Sequence, residues 1–96
     1  MKVIVRTDSY LDDLAAIEAE IAKDNPAAAL DIWFHIDDQV EQLPDPNFPR
    51  KRGRVKETFE LVAHENDIVL LEEDAMTVTV LQVARARQQW PKSRTG

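Results

Sequence analysis

Two basic islands and two histidines carry the side chains whose chemistry stands out. The run RKRGRVK, Arg50 to Lys56, holds five cations, and Arg85, Arg87, Lys92 and Arg94 fall within the last twelve residues. Arg85 and Arg87 are two apart on what reads as an extended segment, so they point the same way, with Gln88 and Trp90 close behind. Guanidinium groups present a planar fork to carboxylates and phosphates. An Arg-Arg-Trp edge beside a basic loop therefore suits an acidic protein surface or a nucleic-acid backbone. His35 and His64 have no second ligand at metal spacing and read as ordinary surface histidines. The adjacent acids Asp12-Asp13, Asp37-Asp38 and Glu72-Glu73-Asp74 read as solvated faces. Neighbours on a helix point about 100° apart and make poor acid–base pairs. Ser9 and Ser93 lack a local base, and with only Gly53 and Gly96 there is no phosphate-cradling loop. No catalytic, metal or cofactor site is expected. The absence of cysteine excludes disulfides, zinc thiolates and cysteine nucleophiles.

The elements that must position these groups follow from periodicity. Val3–Val5 is short and β-branched and reads as a strand. Leu11, Leu14, Ile17 and Ile21 recur at helical steps, predicting a helix over residues 9–23 capped by Asp8 or Ser9. Asn25 and Pro26 open a second helix that runs to about Leu43, with a core stripe of Ala29, Ile32, Ile36, Val40 and Leu43 and with Trp33 on its flank. The short break between them predicts an antiparallel hairpin. Leu30 and Phe34 lie roughly 120–160° from the Ile36 stripe and form a second apolar face. Either the sheet or the proline loop covers that face, or a partner helix docks on it. Pro44 to Glu57, with three prolines and one glycine, reads as a loop without regular structure. TFELVA, IVLL and MTVTVLQVA follow as strands, IVLL buried on both faces, and their short turns imply an antiparallel meander. The expected fold is α+β in the order β-α-α-β-β-β, a helical hairpin packed on a small antiparallel sheet. It forms one domain over residues 1–91, followed by a flexible tail at 92–96.

The totals bound the partners. Ninety-six residues make one domain with a modest core. The formal charge of −6 is segregated: residues 7–49 hold one lysine against eleven acids, and residues 57–74 hold seven acids and no cation. Such an acidic body repels phosphates away from its basic islands, so direct specific nucleic-acid binding is not expected. The longest apolar run, Ile68 to Leu71, is too short to span a bilayer, and MKVIVRTD has no export core. No membrane association and a cytoplasmic location are expected.

With these elements in order, the chain resembles the RelE/ParE superfamily of toxins from type II toxin–antitoxin systems. VARARQQWP (Val83 to Pro91) is similar to the family's His-Ala-Arg segment leading into Trp-Pro. GRVKETFELV (Gly53 to Val62) is similar to its Gly-Arg-Val stretch and Thr-Arg-Glu-Leu-Val strand. DNPAAA (Asp24 to Ala29) and HENDIVLL (His64 to Leu71) match its second-helix opening and its central turn and strand. The resemblance implies a helical hairpin on a small sheet. It implies neutralisation by a cognate antitoxin, ribbon-helix-helix and ParD-like, in a hetero-oligomer. It also implies one of two activities: ParE-like inhibition of DNA gyrase, or RelE-like cleavage of mRNA on the ribosome. Arg85 stands where relatives have histidine, and the sole tyrosine, Tyr10, is on helix one, so the proton-moving group of a nuclease is missing. That favours the ParE-like branch, with no chemistry of its own. Its target surface would be Arg85, Arg87, Gln88 and Trp90 with Arg52, Arg54 and Lys56. Its antitoxin surface would be Leu30 and Phe34 plus a sheet edge. The chain departs from the family pattern at Glu57 (glycine), Phe59 (arginine), Asp67 (aromatic) and Leu71-Glu72 (tyrosine and a basic residue). These departures leave a non-toxic antitoxin-binding module as a third reading.

Overall fold

The computed structural model describes residues 2–64 and 66–85. Strand β1 (Val3–Arg6) leads into helix α1 (Asp8–Ala22), and α2 (Pro26–Val40) returns alongside it. Four strands follow: β2 (Lys51–Arg52), β3 (Phe59–His64), β4 (Asp67–Glu73) and β5 (Thr77–Arg85). They form one sheet in the order β1-β5-β4-β3-β2. Arg87, Gln88, Trp90 and the tail at 92–96 lie outside the described residues.

Local chemistry sets the helix starts. The N-cap of α1 is Thr7, one residue before the expected pair: its Oγ1 accepts the Tyr10 N–H at 3.2 Å and donates to the Val80 carbonyl at 2.7 Å. One hydroxyl thus caps a helix and ties it to β5. Asn25 caps α2 through the Ala28 N–H at 3.1 Å, with Pro26 at the first helical position. Both helices end slightly earlier than their periodicity suggested, and a turn at residues 41–44 carries Leu43 into the core.

The core lies between the hairpin and one sheet face. Tyr10, Leu14 and Ile17 of α1 and Ile36 and Val40 of α2 pack with Leu61, Val69, Leu71, Val78 and Val80 of the strands. Leu11, expected in this stripe, is exposed, and Tyr10 takes its place. The tyrosine can be fully buried because its hydroxyl has a partner: it donates to Asp37 Oδ1 at 2.8 Å. Arg6 holds the same carboxylate through its Nε at 2.9 Å and its Nη2 at 3.0 Å, joining β1, α1 and α2 at one point. Burial, and then the bond to Asp37, pushes the phenol well above its ordinary value of 10.0. Ile68 to Leu71 are all buried, as expected for a central strand.

Two features differ from expectation. The sheet is mixed, because β1 runs parallel to β5, from Val3 opposite Thr77 to Arg6 opposite Val80. Short turns force β3, β4 and β5 to be antiparallel. The hairpin frees β1 from that constraint and carries the chain far enough for a parallel pairing. The proline segment also contains regular structure: Lys51 and Arg52 pair with Glu60 and Phe59 as the short edge strand β2. Gly53 closes that ladder, its N–H donating to the Thr58 carbonyl at 2.8 Å. A Cβ at Gly53 would meet Thr58 Oγ1 at 2.3 Å, so the close approach requires glycine.

Candidate functional site

The described basic residues do not form one patch. Arg54 and Lys56 sit on the β2–β3 connection, at the end of the sheet where β3 begins. Arg85 closes β5 opposite Asp67, the first residue of β4, at the other end. Three strand spacings of about 4.8 Å and five residues of about 3.4 Å separate Arg52 from Arg85, roughly 20 Å in all. The expected juxtaposition of the last strand with the basic loop therefore does not occur. Part of the basic loop is also committed to the fold. Arg50 donates to Glu73 at 2.8 Å and to the carbonyls of Leu43 at 2.9 Å and Asp45 at 2.6 Å, which pins the proline segment. Glu73 is pulled two ways: burial favours its protonated form, but hydrogen bonds from Lys2 and Arg50 outweigh this and hold it below the usual carboxylate range. Arg54 lies 3.4 Å from the buried Glu60, which also accepts the Arg54 backbone N–H at 2.9 Å. Lys51, Arg52 and Lys56 are exposed.

Around Arg85 the structure assembles a cluster that spacing along the chain concealed. Asp67 is buried at 4% exposure, with Oδ1 3.4 Å from Arg85 Nε and Oδ2 3.7 Å from His64 Nδ1. Among the described residues its Oδ1 accepts no hydrogen bond, although an ionised carboxylate in that position gains from one. The His64 ring meets the His35 ring of α2 edge-on, with centroids 5.5 Å apart. The two histidines read as unrelated surface residues are thus neighbours. The His64–Asp67 half was detectable as an i, i+3 pair across a turn. The His35 half was not, because it depends on how α2 lies on β3, fixed by a bond from the Gln39 side chain to the Ala63 carbonyl. An imidazole next to a buried carboxylate, beside a guanidinium and a second imidazole, is equipped to move a proton and to hold an anion.

The end of the sheet that bears the β2–β3 connection also carries an acidic cleft. The cleft, of about 250 Å³, is lined by Glu57, Glu72, Glu73, Asp74, Thr77 and Thr79. Glu57 adopts φ 65°, a left-handed conformation natural to the glycine that the family pattern places there. Among the described residues no group of three or more His, Cys, Asp or Glu side chains is arranged to hold a metal ion, and no helix is long and apolar enough to cross a membrane.

On the hairpin, Leu30 is 50% exposed and Phe34 55% exposed, so neither the sheet nor the proline loop covers this second apolar face. Val3 and Val5 are exposed on the edge strand β1.

The layout of one strand, a helical hairpin and a meander that returns beside the first strand is the one the sequence resemblance implied. No family model matches the chain. It is 34% identical over 79 residues to the Sinorhizobium fredii protein named "Putative toxin Y4kP", with 82% of each chain covered. Its fold superposes on a chain from the chromosomal ParDE TA system from P. aeruginosa with a TM-score of 0.80. That match is at 19% identity and covers 88% of this chain and 96% of the other. The chain belongs to the RelE/ParE superfamily of toxins.

Proposed function

We propose that this protein is the toxin of a type II toxin–antitoxin pair, that it inhibits growth by binding a macromolecular target, DNA gyrase in the ParE-like reading, and that a cognate ParD-like antitoxin neutralises it. The observation that carries the antitoxin assignment is the exposed Leu30–Phe34 pair on α2, an i, i+4 anchor set that the described residues leave uncovered. The ParDE origin of a structural neighbour supports the same reading. Target contact is assigned to Arg85 at the end of β5, with Arg87, Gln88 and Trp90 beyond it and Arg52, Arg54 and Lys56 as a separate basic contact. Induced expression in a bacterial host tests the activity. Growth arrest with DNA damage and intact mRNA is the expected result. Undisturbed growth leaves only an antitoxin-binding module.

A second reading is favoured by one observation, the His64–Asp67 pair beside Arg85 and His35. This cluster contains the proton-moving group that the sequence lacked at position 85, and it suits the ribosome-dependent endoribonuclease alternative. Here His64 would act as the base, oriented by Asp67, with Arg85 on the phosphate. Cleavage of mRNA at defined codons, abolished by His64→Gln, would establish that reading and displace gyrase.

A further inference from the structure

The hairpin that bears Leu30 and Phe34 is strongly acidic. Residues 8–41 contain ten acids and a single cation, Lys23. Three of these acids have internal partners. Asp37 and Glu41 are held by Arg6, and Asp13 accepts the Val83 N–H at 2.9 Å. The other seven have no cation in ion-pair contact among the described residues, and of these Asp31 and Asp38 lie beside the apolar pair. Both are exposed. They bracket the apolar anchor, Asp31 three residues before Phe34 and Asp38 four residues after it, each within about one helical turn. Asp38 also lies in the last turn of α2, which contains no basic residue, so its charge adds to the negative end of the helix dipole. An apolar pair flanked by two carboxylates that have no cation among the described residues, one of them at the negative helix end, is incomplete in charge as well as in packing.

We propose that the segment docking on α2 is a cationic amphipathic helix, its apolar stripe seated on Leu30 and Phe34 and its lysine or arginine side chains paired with Asp31 and Asp38. This rests on the reading above that an antitoxin covers this face, and it adds the chemistry of the covering segment. Positive charge relieves the helix dipole, neutralises Asp31 and Asp38 and steers the encounter towards an acidic body. An acidic segment would meet repulsion at both carboxylates. A second copy of this chain, whose residues 50–56 carry five cations, is the competing occupant.

The probes are two synthetic amphipathic helical peptides with identical leucine stripes, one flanked by lysine and one by glutamate. Binding to the intact protein is followed by calorimetry. The lysine peptide is expected to bind at least about ten-fold more tightly than the glutamate peptide, and less tightly as salt rises. Asp31→Asn with Asp38→Asn removes only exposed charges that have no ion pair among the described residues, so the fold stays intact while affinity for the lysine peptide drops about five-fold. Equal binding of the two peptides, no binding by either, or an unchanged affinity in the double asparagine variant overturns the inference. Leu30→Glu with Phe34→Glu separates this from the reading beneath it. If that variant loses the lysine peptide but the asparagine variant does not, the face stands and its cationic occupant falls. If it keeps the peptide, the docking face itself is wrong. A dimer in sedimentation that the same variant dissociates assigns the face to a second copy and likewise overturns the proposal.

Discussion

Asp67 is where a single residue departs furthest from what its position on a strand allows. A carboxylate at 4% exposure, one oxygen of which lacks a hydrogen bond among the described residues, is costly to bury, and Arg85 and His64 beside it offset part of that cost. Four of the departures from the family pattern fall into two cross-strand pairs. Asp67 is opposite Arg85, and Phe59 is opposite Leu71. The first pair matches an acid with a base; the second packs two apolar side chains against the core. Arg85 accordingly has a structural duty as well as its proposed contact. Arg85→Ala should cost about 1–2 kcal/mol by leaving the carboxylate without its cation, and adding Asp67→Asn should recover most of that loss. Urea denaturation of the two variants checks this, and the double variant is the sound background for asking whether Arg85 is needed for toxicity. Glu57 permits the opposite experiment. Its φ of 65° strains any residue with a Cβ, so Glu57→Gly should raise stability by about 1 kcal/mol. A loss instead would mean that the glutamate side chain contributes more than its backbone costs.

Among the elements, α1 depends on Thr7 more than a helix of fifteen residues ordinarily depends on its cap. The hydroxyl caps the helix and also bonds the Val80 carbonyl, where β1 ends and the outer side of β5 loses its strand partner. Just beyond, Asp13 of α1 accepts the Val83 N–H, so the helix continues the satisfaction of β5 that the short β1 leaves off. Thr7→Ala is expected to destabilise the protein by about 1–2 kcal/mol, and Thr7→Ser to restore most of it, both read from thermal unfolding. A similar dependence holds at β2. Gly53→Ala drives a methyl group against Thr58 and should cost about 1–3 kcal/mol, weakening the edge that presents Arg52 and Arg54.

At the scale of the whole molecule, three elements meet at the Arg6–Asp37–Tyr10 junction, and its protonation state governs alkaline stability. The folded protein keeps its only tyrosine neutral far above the ordinary value, first through burial and then through the bond to Asp37. A raised folded-state value contributes stability that is complete below pH 10.0 and is lost as pH rises through the higher folded value. Tyrosinate absorption should therefore appear together with the loss of helical circular dichroism, not before it. Ionisation in a protein that is still folded would show that the junction opens on its own. Charge is organised at the same scale. Among the described residues the hairpin is acidic with Lys23 as its one cation, the exposed Lys51, Arg52, Arg54 and Lys56 cluster at the β2 edge, and the half-buried Arg85 lies at the opposite end of the sheet. A partner that needs both must span the sheet rather than grip one corner.

Much of this was legible in the chain. Local pattern determined the hairpin, the Asn25 cap, the buried central strand and the second apolar face of Leu30 and Phe34, because these depend on residues within a turn or two of one another; the Thr7 cap and the exposure of that face were left to the structure. The order of motifs determined the family. Only the tertiary structure decided that β1 runs parallel to β5, that Tyr10 replaces Leu11 in the core, that Arg85 is remote from Arg52 and Arg54, and that His35, His64, Asp67 and Arg85 meet. Each of these joins residues far apart in sequence through the packing of the hairpin on the sheet. Local spacing carries no information about which strand becomes a neighbour or which buried carboxylate a distant cation will reach.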